Sequence, residues 1–157
     1  MTSETLEYIL TGAVVALLIG AMVDDLRRRI IENWLNLAIA LLAPVYWWAT
    51  AMPIWPDMVL QIGFAMTAFA FFMIFFALGQ FGGGDLKLIG ALALWLPVIT
   101  LVRMLLIMSI LGGVLTVIVY FWHKWAKRAG PVETPYGVAI AIAGIWAISQ
   151  RYFNHFG

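Results

Sequence analysis

Asp85 follows three consecutive glycines, Gly82-Gly83-Gly84, between two long apolar runs, and Asp24-Asp25 closes another apolar run. Ionisable groups at membrane depth are costly and are functional candidates for that reason. Two aspartates that face each other can cleave a peptide bond without a metal or a covalent nucleophile. Close carboxylates do not both ionise readily, so such a pair shares a proton. The ionised member takes a proton from water, and the protonated member donates to the scissile carbonyl. Other routes are poorly supplied. There is no cysteine, which excludes thiol catalysis, zinc–thiolate sites, iron–sulfur clusters and disulfides. Ser3, Ser109 and Ser149 have no G-x-S-x-G context. The two histidines, His123 and His155, fall on opposite membrane sides in the topology derived below, so no metal site is expected.

The elements that must position these acids are membrane helices. Of the 157 residues, 64% are hydrophobic and 11% charged, and the mean hydropathy is +0.99. Soluble domains carry roughly 25% charge. A net charge of +1 suggests no nucleic-acid partner. The N-terminal segment has Glu4 and Glu7 and no basic residue before the first apolar run, so it reads as a retained helix rather than a cleaved signal. Six spans are expected, at 8–23, 34–52, 58–78, 86–101, 104–122 and 135–152, in a single all-α domain over residues 1–157. The run 86–122 would extend about 55 Å as one helix against a core of roughly 30 Å, which predicts a hairpin near 97–103.

Charge placement orients the spans. Arg27, Arg28, Arg29, Lys87, Lys124, Lys127 and Arg128 fall on one side, and Arg103 and Arg151 on the other. The positive-inside rule puts the seven in the cytoplasm and both termini outside. Trp34, Trp48, Trp55, Trp95, Trp122 and Trp125 fit interfacial belts. Asp24, Asp25, Glu32, Asp85 and Glu133 then share the cytoplasmic side. The first span is short enough that its helix should continue through Asp24 and Asp25. Glycines before Asp85 permit φ > 0 and close backbone approach, and Asp85 would open the next helix, where N–H groups favour its ionised form. A plain helix cap accounts for Asp85 equally well.

Three motifs together resemble the type IV prepilin peptidases, which belong to the GxGD class of membrane aspartyl proteases. Gly82-Gly83-Gly84-Asp85-Leu86-Lys87-Leu88 is similar to the family's G-x-G-D-x-K-L. Asp25-Leu26-Arg27-Arg28-Arg29-Ile30-Ile31-Glu32-Asn33 is similar to D-L-x-x-x-x-I-P-N, with Glu32 where proline is usual. Pro135-Tyr136-Gly137-Val138-Ala139-Ile140 is similar to P-Y-G-x-A-I. The resemblance implies a GxGD protease fold of six membrane helices, Asp25 and Asp85 as the catalytic pair, and no cofactor. It makes Gly82, Gly83, Gly84, Lys87, Asn33, Pro135, Tyr136 and Gly137 supporting or substrate-binding residues. Glu32 suits a first helical turn as proline does, so the second span should start normally.

Many members of that family carry a cysteine-paired cytoplasmic domain associated with methylation. The lack of cysteine and the early first span resemble the short branch that serves Flp-type tight-adherence pili, or the archaeal preflagellin peptidases. The implied activity is removal of a short basic leader from a prepilin at the cytoplasmic face of the inner membrane, without methyltransferase activity. Membrane lipid and prepilin are the expected partners. Asp24, Glu32 and Glu133 are candidates to receive the basic leader. The competing readings are a small proton-coupled transporter, which lacks a mid-span acid here, and a non-catalytic membrane scaffold, which would tolerate Asp→Asn changes.

Overall fold

A computed structural model describes residues 2–126 and 134–153, with side chains as far as residue 150. The described chain forms six α-helices: α1 Ser3–Arg28, α2 Asn33–Ala49, α3 Val59–Ala77, α4 Gly83–Ala93, α5 Val98–Trp125 and α6 Tyr136–Phe153. A kinked lead-in, Ile54–Met58, precedes α3, with Trp55 extended inside it.

α1 is a 26-residue helix that contains the expected 16-residue span and continues through both aspartates. The Thr2 hydroxyl caps its start by accepting from the Thr5 N–H. Its buried residues, Leu10, Thr11, Val14, Leu18, Ala21 and Asp25, repeat at helical spacing, so Asp25 is the last member of the stripe that faces the core. Arg29 ends the helix in the left-handed conformation (φ 57°, ψ 27°), and its N–H donates to the Asp25 carbonyl at 3.0 Å. α2 then begins at Asn33, with Glu32 as its extended N-terminal flank, so the glutamate leaves the helix start intact.

The expected hairpin at 97–103 lies earlier, at residues 94–97, and Arg103 is an exposed residue inside α5. Proline supplies the reason. Pro97 has no N–H to give to an incoming helix and its φ of −56° suits the flank of a new one, so α5 starts directly after it. The carbonyls freed at the break find side-chain donors. Gln61 Nε2 donates to Ala93 O at 2.7 Å and Leu96 O at 2.9 Å, and Trp47 Nε1 donates to Leu94 O at 3.2 Å. Unsatisfied backbone groups are expensive away from water, so these bonds let an irregular turn sit among helices.

α4 is the centre of the packing. It contacts α2, α3 and α6, and to a lesser extent α5. Leu88, Ile89 and Leu92 are fully buried and meet Leu18, Ile39 and Ile140 in one core. α3 and α5 lie outside and present most of their apolar side chains outward. Of the tryptophans expected at interfaces, Trp34, Trp48, Trp55, Trp122 and Trp125 are exposed. Trp95 is not. It is buried and donates through Nε1 to Ile39 O at 2.8 Å, because the turn that carries it tucks against α2.

α1, α3 with its lead-in, and α5 are each long and apolar enough to cross a membrane. With a chain this apolar, they make it a membrane protein. α4, at 11 residues, extends only about 16 Å, roughly half the hydrocarbon thickness.

Candidate active site

Asp25, from the last turn of α1, is 5% exposed. Its Oδ2 accepts from the Val138 N–H at 3.1 Å, in the first turn of α6. The carboxylate therefore sits at a helix N-terminus, where unpaired N–H groups and the helix dipole favour negative charge. Gly137 leaves room for it. A Cβ there would lie 2.8 Å from Asp25 Oδ2 and 2.7 Å from Ile31 Cδ1.

Asp85 occupies the third position of α4, after Gly82 as N-cap. Burial pushes its carboxyl up to about 7, and the negative charge of Asp25 adds to the rise. The Gly82 N–H, turned toward the carboxylate, works against both. The capping role and the placement beside Asp25 thus hold together. The left-handed glycine of this turn is Gly79 (φ +71°), not one of the three before Asp85. Gly79 N–H donates to Phe76 O and Gln80 N–H to Phe75 O, both at 2.9 Å, which closes the end of α3. Gly82 and Gly84 serve by lacking a Cβ. At Gly82 it would lie 2.9 Å from Asp85 Oδ2. At Gly84 it would lie 3.2 Å from Ile31 Cβ and 3.4 Å from the Ile31 backbone nitrogen. The glycine run therefore brings α4 tightly against the segment that joins α1 to α2.

Both aspartates line one cavity of about 720 Å³, with Gly82, Gly83, Gly84 and Tyr136 in its wall. Pro135 is buried at the entry to α6. Lys87 and Asn33 do meet, with Lys87 Nζ donating to Asn33 Oδ1 at 2.8 Å, but they stand on the other side of α4 and line a different cavity. Asp24 also faces elsewhere, into a cavity with Trp34 and Leu35. One residue of helical rotation separates it from the buried stripe of α1. Glu32 pairs with Arg28 at 3.1 Å and accepts from the Trp34 indole. Glu133 and the basic pair Lys127 and Arg128 lie outside the described residues.

Several contributors escaped the sequence reading. The Val138 N–H has no side-chain signature, although it follows the Pro135-Tyr136-Gly137 turn directly. Arg29 and Phe81 line the cavity as well. Phe81 lies between Phe72 and Tyr136, with ring centroids 5.6 and 6.1 Å apart. Asn36, one turn beyond Asn33 in an apolar helix, donates from Nδ2 to Gly84 O at 3.3 Å and so ties α2 to the glycine run. Its polar type within an apolar span was the available signal. Among the described residues, no three His, Asp or Glu side chains converge as a metal site would require.

A family model described as the type IV leader peptidase family matches residues 12–117. That range includes both aspartates and the glycine run, and ends before the Pro135-Tyr136-Gly137 turn. No curated protein and no solved structure matches the chain.

Proposed function

The chain belongs to the type IV leader peptidase family, and on that premise we propose that it removes the short basic leader of a Flp-type prepilin with Asp25 and Asp85 as its catalytic pair. The observation that carries this reading is the shared cavity. Two acids from helices 60 residues apart in sequence open into one space, and the charge of one acts on the other. In the proposed reaction Asp25, bonded to the α6 N-terminus, is the ionised member, and Asp85 carries the proton. Water gives a proton to Asp25 as its oxygen attacks the scissile carbonyl carbon. Asp85 donates its proton to the carbonyl oxygen. The gem-diol then collapses: Asp85 takes back a hydroxyl proton as the C=O bond re-forms, the C–N bond breaks, and the leaving amine takes the proton held by Asp25.

With both termini outside, and with α4 entering from the cytoplasmic side without crossing the full core by itself, this cavity would lie at the cytoplasmic edge of the inner membrane. The seven-to-two distribution of basic residues supports that orientation. The basic leader of a prepilin would stay on the same side by the same rule, with its scissile bond level with the acids. The chain has no cysteine, and we propose cleavage without methylation of the new N-terminus.

The test is coexpression with a tagged Flp-type prepilin, following leader loss by gel mobility and mass. The intact chain should release the leader, and Asp25→Ala and Asp85→Ala should each leave the precursor uncut. Processing that survives both substitutions overturns the two-aspartate mechanism.

A further inference from the structure

A second cavity, of about 650 Å³, lies on the face of α4 turned away from the acids, between α2 and α3. Its size is that of a small-molecule site. Ala65 and Ala91 lie buried in its wall, and Leu37 and Met66 stand exposed beside it. Its polar side chains are Asn33, Asn36 and Lys87, and no carboxylate lines it. Lys87 is exposed and spends one of its three N–H donors on Asn33 Oδ1. It makes no ion pair among the described residues. The amide N–H₂ of Asn33 points to no partner there either. One end of an apolar groove therefore carries an uncompensated cation and unspent donors. Asn36 is 4% exposed, and its Oδ1 has no hydrogen-bond partner, so the wall also lacks a donor.

We propose that this groove holds one glycerophospholipid, with its phosphate on Lys87 and Asn33 and an acyl chain lying along α2, α3 and α4. Charge decides the headgroup end. An ammonium at a helix-lined membrane pocket attracts a lipid phosphate. Depth decides against a membrane-crossing peptide helix. The lining runs from Asn33 to Ala40 on α2 and from Lys87 to Leu94 on α4, about 10 Å each, which lies within a single leaflet of a roughly 30 Å core. A hydroxyl or ammonium on the headgroup is the kind of donor that the Asn36 carbonyl lacks. The site would bear on the acids without touching them. Lys87 lies two residues beyond Asp85, and Asn36 holds the Gly84 carbonyl, so an occupied groove braces the first turn of α4.

The experiment is native mass spectrometry of the full chain in a neutral detergent, titrated with dioleoylphosphatidylglycerol. One lipid per chain should be retained. Lys87→Gln should weaken retention at least tenfold, and Ala40→Phe, which fills the groove, should abolish it with helix content unchanged by circular dichroism. Ala70→Phe, at an exposed position on α3, should also weaken retention and serves if Ala40→Phe fails to fold. Glycerol 3-phosphate at the same concentration should not displace the lipid. Retention unaffected by Lys87→Gln or by the groove-filling changes overturns the proposal. Full displacement by glycerol 3-phosphate would make this an anion site without an acyl seat. Crosslinking of a prepilin's apolar helix to the groove, lost in Ala70→Phe while lipid retention persists, would give the groove to the substrate instead.

Discussion

The two aspartates reach one cavity by different local structures. Asp25 is the last residue of a buried helical stripe, and its carboxylate is anchored by the Val138 N–H of a separate helix. Asp85 stands in the first turn of α4 behind glycines, with the N–H of Gly82 as its local counterweight and Asp25 as a like-charged neighbour. One acid is held across the fold and the other within its own turn. That asymmetry places two chemically identical side chains in different surroundings, which the proposed acid–base roles would use.

The largest effect should come from removing either carboxyl. Asp25→Asn and Asp85→Asn keep shape and hydrogen bonding but not proton transfer, and each should lower leader cleavage by roughly 10²–10⁴-fold. Undiminished cleavage by either variant would remove that acid from the chemistry and erase the comparison. The next effect separates the two settings. Gly137→Ala drives a methyl against Asp25 and Ile31 together, whereas Gly82→Ala meets only the movable end of the Asp85 side chain. A displacement of about 1 Å can cost on the order of 10²-fold in rate. Cleavage by Gly137→Ala should fall by about that factor, and by Gly82→Ala about tenfold or less, both read as kcat/KM on a prepilin peptide.

A pH profile tests the assignment of the proton. Asp85, pushed up to about 7, is protonated below that value and loses its proton above it. If it is the donor, kcat/KM should fall about tenfold per unit as pH rises beyond about 7. Removing the Asp25 charge in Asp25→Asn should move the Asp85 transition to lower pH, seen in the infrared band of its protonated carboxyl, because one of the two causes of its rise is gone. A transition unmoved by that change would uncouple the two acids. The smallest effect belongs to Glu32→Ala. The Arg28–Glu32 pair is exposed, and such pairs contribute about 0.2–1 kcal/mol. Thermal unfolding in detergent and cleavage should both stay near those of the parent chain.

Much of this arrangement was legible in the residues. The six helices follow from apolar runs punctuated by Gly, Pro and charge, and α1, α3 and α5 extend over most of the expected segments. The break between α4 and α5 was displaced by a few residues, because the run is apolar on both sides of the turn and only Pro97 marks it. Gln61 and Trp47, which supply donors for that turn, come from other helices and leave no local trace. The role of the three glycines was half visible. Close approach was foreseeable, but the left-handed position fell to Gly79, where the end of α3 needs it. Lys87 and Asn33 belong to motifs that also contain the aspartates, yet helical rotation carries Lys87 to the opposite face of α4, where Asn33 at the start of α2 meets it.

By itself the sequence determined that this chain lives in a membrane, where its helices run, and which acids stand at their ends. Hydropathy, helical period and backbone-limited residues act locally, so they can be read along the chain. The packing of separate helices decides that Asp25 takes the Val138 N–H, that Asp24 does not share its cavity, and that α4 borders one cavity on each of two faces. Those outcomes depend on which helix packs against which, and the distance between side chains from separate helices is set by the packing of the whole core.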